Sequence, residues 1–269
     1  MIRVALFAGL VACASARADG DLPIDQSGLD EGQKHWLREL LDEFPSACKK
    51  SQSLATSLKT DPSCKRSVIA ANFVVRLLKM GLLKSEVEEH YDERFLHPTM
   101  ARCETAAAPV RGSPAAQVAL VEFSDYQCPH CRAIEPVLAK LLDEYKGKVK
   151  LYFKNYPISK LHPEASDAAA AATAAGMQGK FWPMHDLLFE HQDQLSQTDL
   201  EKYASDLKLD VKKWKADMAA ARKLVEKDHD EGEKLEVSAT PTLYINGCKY
   251  RGPHKYEEIK DWIDWELAK

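Results

Sequence analysis

Two cysteines three positions apart follow a short apolar run, and this feature restricts the fold of the chain more than any other. Residues 118–123 are apolar except for Glu122, as expected for a short buried strand. Cys128-Pro129-His130-Cys131 follows and leads into a helical pattern of apolar residues. Because proline is favoured at the first helical position, we expect Cys128 to cap that helix. Cys131 then lies one turn further on the same side, within reach of a disulfide.

The predicted position of Cys128 favours the thiolate form of its sulfur. Backbone N–H groups at a helix N-terminus have no partner inside the helix, and the positive end of the helix dipole lies there. A protonated His130 would stabilise the thiolate further. Because a stabilised thiolate favours the reduced protein, the Cys128–Cys131 disulfide is expected to be oxidising. The more buried Cys131 would be the resolving partner.

Other uses of this cysteine pair fit the sequence less well. A zinc site would need a second closely spaced Cys or His pair, which the sequence does not supply. Haem attachment needs His directly after the second cysteine, where this chain has Arg132. A structural disulfide this short would close almost no loop and add little stability. A module that binds a soft ion such as Cu(I) through the reduced pair stays as an alternative.

The order of elements after the cysteine pair indicates an α/β domain. Residues 149–156 read as a second strand, and residues from about 163 to 236 have helical patterns throughout. Strand patterns return on either side of Asn246-Gly247, the pair favoured in a type I′ hairpin turn. A closing amphipathic helix follows. The sequence therefore predicts strand–helix–strand, a helical block, then a hairpin and a helix.

The region before the first strand is predicted to be small and all-helical, over residues 19–103. Apolar residues at helical spacing begin at Trp36, and Asp61-Pro62 has the cap and first-position proline that open a helix. A charged helical pattern follows from residue 85 to residue 95. Residues 104–117, rich in Ala, Pro and Gly, are predicted to be a linker to the domain at 118–269.

The cysteine motif also resembles a known family. Residues 122–131 read Glu-Phe-Ser-Asp-Tyr-Gln-Cys-Pro-His-Cys, which resembles the active-site segment of the DsbA-like branch of the thioredoxin superfamily. Residues 182–193 and Thr240-Pro241 extend the resemblance over about residues 108–269. It implies a thioredoxin-like α/β fold with an inserted helical domain, which matches the block at 163–236.

The resemblance also implies roles for individual residues. Thr240-Pro241 corresponds to the cis-proline loop beside the active-site sulfurs, where the Thr240 backbone pairs with an extended substrate. Glu122 corresponds to a buried acid beneath the active site that moves protons to and from Cys131, and Lys154 on the second strand is its expected partner. The alternative is that Glu122 points to solvent at a sheet edge.

The remaining cysteines suggest structural roles. Cys48 and Cys64 bracket a short predicted helix, and linking them would contribute about 3 kcal/mol in the chain-entropy model. Cys103 and Cys248 then remain, either paired with each other or, for Cys248, as a free thiol. Four cysteines allow three connectivities, so the sequence leaves the pairing open.

The N-terminus predicts export. Residues 1–18 have the positive start, short apolar run and Ala-Arg-Ala end of a signal peptide. A competing interpretation uses Leu10-Val11-Ala12-Cys13, which resembles a lipobox and would leave a lipidated Cys13 anchoring the protein to a membrane. Either way the mature protein leaves the cytosol, most simply for the periplasm of a Gram-negative bacterium, where disulfides persist. The net charge of −4, with mixed signs along the chain, gives no basic surface for nucleic acid.

These observations predict an exported thiol–disulfide oxidoreductase that introduces disulfides into secreted or periplasmic proteins, with no cofactor and no resident metal. The same residues, used in the reverse reaction, would reduce or isomerise disulfides. Its partners would be reduced or misoxidised secreted proteins, and a redox protein that resets the cysteine pair. The apolar stripes of the N-terminal helices leave open either docking on the redox domain or a homo-oligomer, which would suit an isomerase.

Overall fold

The computed structural model describes residues 22–269, which divide into two compact units at the bond between Leu82 and Leu83. The predicted signal peptide and the candidate lipidation site Cys13 lie outside the described residues. Within residues 22–269, no helix is both long enough and apolar enough to cross a membrane.

The N-terminal unit is built from three helices and a disulfide. The helices are α1 (Glu31–Glu43), α2 (Leu54–Thr60) and α3 (Lys65–Lys79). Cys48 and Cys64 are disulfide-bonded with their Cα atoms 6.2 Å apart, so the predicted pairing is confirmed. The bond ties the segment before α2 to the start of α3.

The start of α3 differs from the prediction at Asp61-Pro62. Asp61 ends α2 instead, because its backbone N–H donates to the carbonyl of Ser57. Cys64 caps α3, and its sulfur accepts from the N–H of Ser67 at 3.4 Å. α3 thus begins directly after the disulfide-bonded Cys64, and the cap pattern at Asp61-Pro62 does not reveal this start.

The C-terminal unit contains the predicted sheet. Its strands are β1 (Val110–Gly112), β2 (Val118–Ser124), β3 (Val149–Asn155), β4 (Thr242–Ile245) and β5 (Cys248–Lys249). Across the described part of the chain they form one five-stranded sheet in the order β1-β3-β2-β4-β5. β2 and β3 are parallel, and every other neighbouring pair is antiparallel. This arrangement confirms the predicted α/β class.

The helices of this unit surround the sheet. They are α4 (Lys84–Tyr91), α5 (Pro129–Glu144), α6 (Ala165–Gly176), α7 (Phe181–Glu190), α8 (Gln197–Asp206), α9 (Val211–Lys234) and α10 (Tyr256–Leu267). α6 to α9 lie between β3 and β4 in the chain. A π-helical turn, Asp92–Leu96, extends α4.

The two faces of the sheet carry different layers. Leu120 of β2 pairs with Ile245 of β4, and both pack with α5 and α10. Phe123 and Tyr244 point to the other face, which α9 covers. A Cβ atom at Gly232 of α9 would lie 2.5 Å from a ring carbon of Tyr156, so glycine permits this close approach.

The boundary between the units precedes the predicted linker, because residues 84–101 pack on the C-terminal unit. The ring of Phe95 lies 4.5 Å from that of Trp265 in α10, and Glu93 pairs with Arg251 at 3.3 Å. Met100 forms an isolated bridge with Cys248, beside β5. Residues 110–112 of the predicted linker form β1. The sequence pattern predicted a helix over residues 85–95, but it did not predict these long-range contacts with the C-terminal unit.

The predicted hairpin turn is confirmed at Asn246-Gly247. Asn246 has φ 48° and Gly247 has φ 84°, both in the left-handed region that a type I′ turn requires. Gly247 also lies close to the segment around Ala101, because the N–H of Ala101 donates to the Gly247 carbonyl at 2.7 Å.

Candidate active site

Cys128 and Cys131 lie at the N-terminus of α5, as predicted. Cys128 is the N-cap residue and Pro129 takes the first helical position, so the backbone enters the helix directly after the first cysteine. Cys131 is fully buried, whereas Pro129 and His130 are exposed. Neither cysteine is disulfide-bonded in this structure. Cys128 is 5% exposed, so of the two cysteines only Cys128 reaches the surface.

Thr240-Pro241 lies beside the first cysteine. Its peptide bond is cis, as the family resemblance implies. The Cys128 sulfur lies 3.3 Å from the carbonyl oxygen of Thr240, to which it donates when it is protonated. The loop before β4 and the N-terminus of α5 thus face each other across the Cys128 sulfur.

The two sulfurs differ in their acid–base behaviour. Hydrogen bonding from the Cys131 thiol, together with the backbone N–H groups of Cys131 and His130, outweighs burial and lowers the pKa of Cys128 to about 5. Burial raises the pKa of Cys131 far above its usual range, and the nearby Glu122 raises it further. At neutral pH Cys128 is a thiolate and Cys131 a thiol, which is the division between nucleophilic and resolving cysteine that the sequence predicts.

Glu122 is completely buried within β2. Its interpretation as a solvent-facing edge residue is therefore wrong. Burial raises the pKa of its carboxyl group to about 7, and neither carboxyl oxygen has a hydrogen-bond partner among the described residues. A buried carboxyl group with this pKa gains and loses its proton near neutral pH.

Lys154 does not pair with Glu122, and this part of the prediction is wrong. In the parallel register Glu122 lies opposite Phe153, and Lys154 lies opposite Phe123. Successive side chains of a strand point to opposite faces, so Lys154 projects away from the active site. It forms ion pairs with Asp228 at 2.8 Å and Glu231 at 2.9 Å, both on α9.

Glu135 is a second acid near Glu122 that sequence reasoning missed. Burial, and after it the charge of Glu122, raise its pKa to about 9. Its Oε1 lies 3.6 Å from Nε2 of His185, which is fully buried in α7. Glu135 follows Cys131 by four residues, so its place on the same face of a predicted helix was a usable signal.

Asp125 anchors the loop between β2 and α5. Its buried carboxylate accepts from the N–H of Gln127 at 2.7 Å and the N–H of Ile158 at 2.8 Å. Nδ1 of His162 lies 2.8 Å from the same carboxylate. The backbone N–H of Asp125 donates to the sulfur of Cys131 at 3.4 Å. The loop after β3, through Ile158 and His162, thereby holds the Asp125 N–H in place to face the Cys131 sulfur.

The inserted helices hold the same loop from the other side. The ring of Tyr126 packs against those of Phe153, Phe189 and His185. The side-chain amide of Gln192, just after α7, donates to the carbonyl groups of Tyr126 and Cys128 at 2.8 and 2.9 Å. Sequence patterns do not reveal the contacts of Gln192, because its two partners are 64 and 66 residues away in the chain.

Cys103 and Cys248 are unpaired, and they lie on opposite sides of the sheet. Cys248 packs with Leu120 and Ile245, whereas Cys103 packs with the cluster around Phe123 on the other face. The candidate disulfide between them is therefore absent. Among residues 22–269, no group of three or more His, Cys, Asp or Glu side chains is arranged to hold a metal ion.

The chain is similar to a known protein family and to several known proteins. A family model described as thioredoxin matches residues 104–265. Disulfide bond formation protein D of Bacillus subtilis is 34% identical over 173 residues, which cover 59% of this chain and 77% of that protein. The crystal structure of oxidised BdbD from Bacillus subtilis superposes with a TM-score of 0.59 at 28% identity, covering 64% of this chain and 99% of that one.

Longer proteins contain the same segment. The Na(+)/H(+) antiporter NhaA 3 of Salinispora tropica is 40% identical over 152 residues, which cover 56% of this chain and 23% of the antiporter. The chain thus spans about a quarter of the length of the antiporters that it matches. All three similarities cover between 56% and 64% of the chain.

Proposed function

This chain belongs to the thioredoxin family, and from that premise we propose that it is an exported thiol–disulfide oxidoreductase that introduces disulfides into secreted or periplasmic proteins. The observation that carries the proposal is the Cys128 sulfur at the start of α5. It combines a pKa of about 5 with a buried partner thiol and the Thr240 carbonyl 3.3 Å away.

The lowered pKa favours oxidation of the client. The pKa of Cys128 falls from 9.0 to about 5, so at pH 7 the reduced protein is stabilised relative to one with an ordinary thiol. The shift moves the exchange equilibrium toward reduced protein by roughly one to two orders of magnitude, with solvent screening favouring the smaller figure. The client correspondingly gains a disulfide.

The reaction begins with the Cys128–Cys131 disulfide. A client thiolate attacks the sulfur of Cys128, which forms a mixed disulfide and breaks the bond to Cys131. The electron pair of the broken bond goes to the Cys131 sulfur. Attack at Cys128 follows from burial, because Cys131 is fully buried whereas Cys128 keeps a small exposed surface.

The leaving sulfur of Cys131 needs a proton, since burial disfavours its thiolate. Glu122 is the group we assign to this transfer. Its pKa of about 7 leaves a substantial protonated fraction at neutral pH, and it interacts electrostatically with Cys131. The donor N–H of Asp125 stabilises the developing charge on the same sulfur.

A second client thiolate completes the cycle. It attacks the client sulfur of the mixed disulfide, so the client disulfide forms and Cys128 leaves as a thiolate. The client loses two electrons and the protein gains them. A redox partner that accepts two electrons must then restore the Cys128–Cys131 disulfide.

The surroundings of the site suit an extended polypeptide client outside the cytosol. The backbone of Thr240 lies beside the reacting sulfur, where it can pair with a client chain. The Cys48–Cys64 disulfide is of the kind that persists in oxidising compartments. Together with the predicted signal peptide, it supports a periplasmic location.

A trapping experiment tests the proposal. The Cys131→Ser variant should accumulate mixed disulfides between Cys128 and disulfide-containing exported proteins, because the resolving thiol is absent. The Cys128→Ser variant is the control and should trap none. If the Cys131→Ser variant captured no client under conditions in which the chain is folded, the oxidoreductase proposal would be wrong.

A further inference from the structure

Gln192 has no role in the proposed mechanism, but its side chain contacts the segment that contains the nucleophilic cysteine. It is 9% exposed and lies in the turn after α7, in the inserted helical block. Its side chain donates to the Tyr126 carbonyl at 2.8 Å and to the Cys128 carbonyl at 2.9 Å. A primary amide has two N–H donors, so both are engaged on the segment that contains the nucleophilic cysteine.

The contact differs from the other attachments of this loop. Asp125 is held by Ile158 and His162, and Gln127 exchanges two hydrogen bonds with Glu164. Those bonds hold residues before the cysteine. Gln192 binds the carbonyl of Cys128 itself, which also accepts the first hydrogen bond of α5 from the N–H of Arg132 at 3.2 Å.

The direction of this carbonyl determines where the sulfur lies. Cys128 has φ −74° and ψ 120°, an extended conformation that directs its backbone into the helix. The thiolate is stabilised only while the sulfur stays close to the Cys131 thiol and to the N–H groups of the first helical turn. Because Gln192 holds the Cys128 carbonyl in place, it restricts the backbone rotation at Cys128 that would move the sulfur away from these groups.

We propose that Gln192 is a positioning residue for Cys128, through which the helical insertion keeps the nucleophilic sulfur at the N-terminus of α5. This inference rests on the proposed function. Gln192 touches neither sulfur nor client and acts through the backbone of Cys128. The inserted helices are thereby part of the redox site as well as its cover.

The test compares two variants of Gln192 with a matched control in the full-length protein. Gln192→Met keeps the length of the side chain and removes both donors, and Gln192→Asn keeps the amide but shortens its reach. The control is Gln178→Met, because the Gln178 amide also bonds backbone atoms of the insertion, at Asp210, far from the cysteines in the chain. The readout is the alkylation rate of Cys128 against pH, resolved by mass spectrometry, with circular dichroism to verify folding.

We expect the midpoint of the alkylation profile to rise by about one pH unit in both Gln192 variants and to stay at the wild-type value in Gln178→Met. Near pH 5 this shift corresponds to a several-fold slower reaction. If Gln192→Met does not fold, Gln192→Asn gives the same reading. An unchanged midpoint in folded Gln192 variants, or an equal shift in the control, overturns the inference. A wild-type midpoint near that of a free cysteine contradicts the proposed function instead, so the two failures are distinguishable.

Discussion

Glu122 and Lys154 lie on neighbouring parallel strands and project from opposite faces of the sheet. Glu122 is directed toward the cysteines, whereas Lys154 is directed toward Asp228 and Glu231. The lysine therefore stabilises the contact between β3 and α9, and the acid beneath the active site has no cationic partner among the described residues.

This geometry predicts that Lys154→Met lowers stability without changing the redox chemistry. Two carboxylates on α9 would lose their buried counter-ion, which costs about 3–5 kcal/mol in free energy of unfolding. The alkylation midpoint of Cys128 should stay at the wild-type value. Denaturant unfolding and the alkylation profile measure the two effects. Lys150→Met is the control, because Lys150 on the same strand binds the Pro114 carbonyl instead. A shift of the Cys128 midpoint in Lys154→Met would show that Lys154 acts on the site.

The reduction potential should change its pH dependence near pH 5. Below the pKa of Cys128 the reduced form binds two protons, so the potential falls by about 59 mV per pH unit. Above about pH 5 the reduced form binds only one, because Cys128 is a thiolate, and the slope halves to about 30 mV per pH unit. Equilibration with glutathione over this range measures the slope. A strongly reducing potential at pH 7 would favour the reductase over the oxidase.

Glu122→Gln should stabilise the protein at alkaline pH and slow turnover. Burial raises the folded-state pKa from 4.5 to about 7, so folding takes up a proton between these values. The carboxylate form therefore destabilises the native state progressively as pH rises from about 4.5 to about 7. Gln removes this penalty, and we expect a gain of about 3 kcal/mol at pH 8 and almost none near pH 4.

Turnover of the Glu122→Gln variant should fall and lose its inflection near pH 7, because the leaving Cys131 sulfur lacks its proton donor. Glu266→Gln is a suitable control, since the buried Glu266 is already paired with Asn246 and Lys269. Unfolding free energies and rates across pH 4 to 9 test both effects. Identical pH–rate profiles for Glu122→Gln and wild type would limit Glu122 to a structural role.

The N-terminal unit should be dispensable for disulfide exchange. Every residue placed in the mechanism lies between 122 and 241, in the unit that begins at Leu83. A chain starting at Leu83 keeps α4, which packs on that unit, and should retain the low pKa of Cys128 and its client oxidation. Light scattering and assays with reduced and scrambled clients compare it with the mature protein. If the mature protein is an oligomer that isomerises scrambled clients and the shorter chain does neither, the oxidase direction is wrong.

Features set by neighbouring residues were predictable from the sequence. Pro129 after Cys128 gave the cap of α5, and Asn246-Gly247 gave the hairpin turn. The sequence did not predict which face of the sheet Lys154 projects from. A shift of one position along β3 would turn its side chain from α9 toward the active site. The contacts of Gln192 were also beyond the sequence, since only the completed fold brings residue 192 to residue 128.

The shortness of the two outer strands has a consequence for the proposed function. β1 has three residues and β5 has two, and Met100 pairs beside β5. Long unpaired strands offer backbone groups to any extended polypeptide and promote lateral strand addition and aggregation. These margins offer few such groups, so an unfolded client has little opportunity to extend the sheet sideways. Under the proposed function, we therefore expect a client to pair at the loop beside Cys128 and not at a sheet edge.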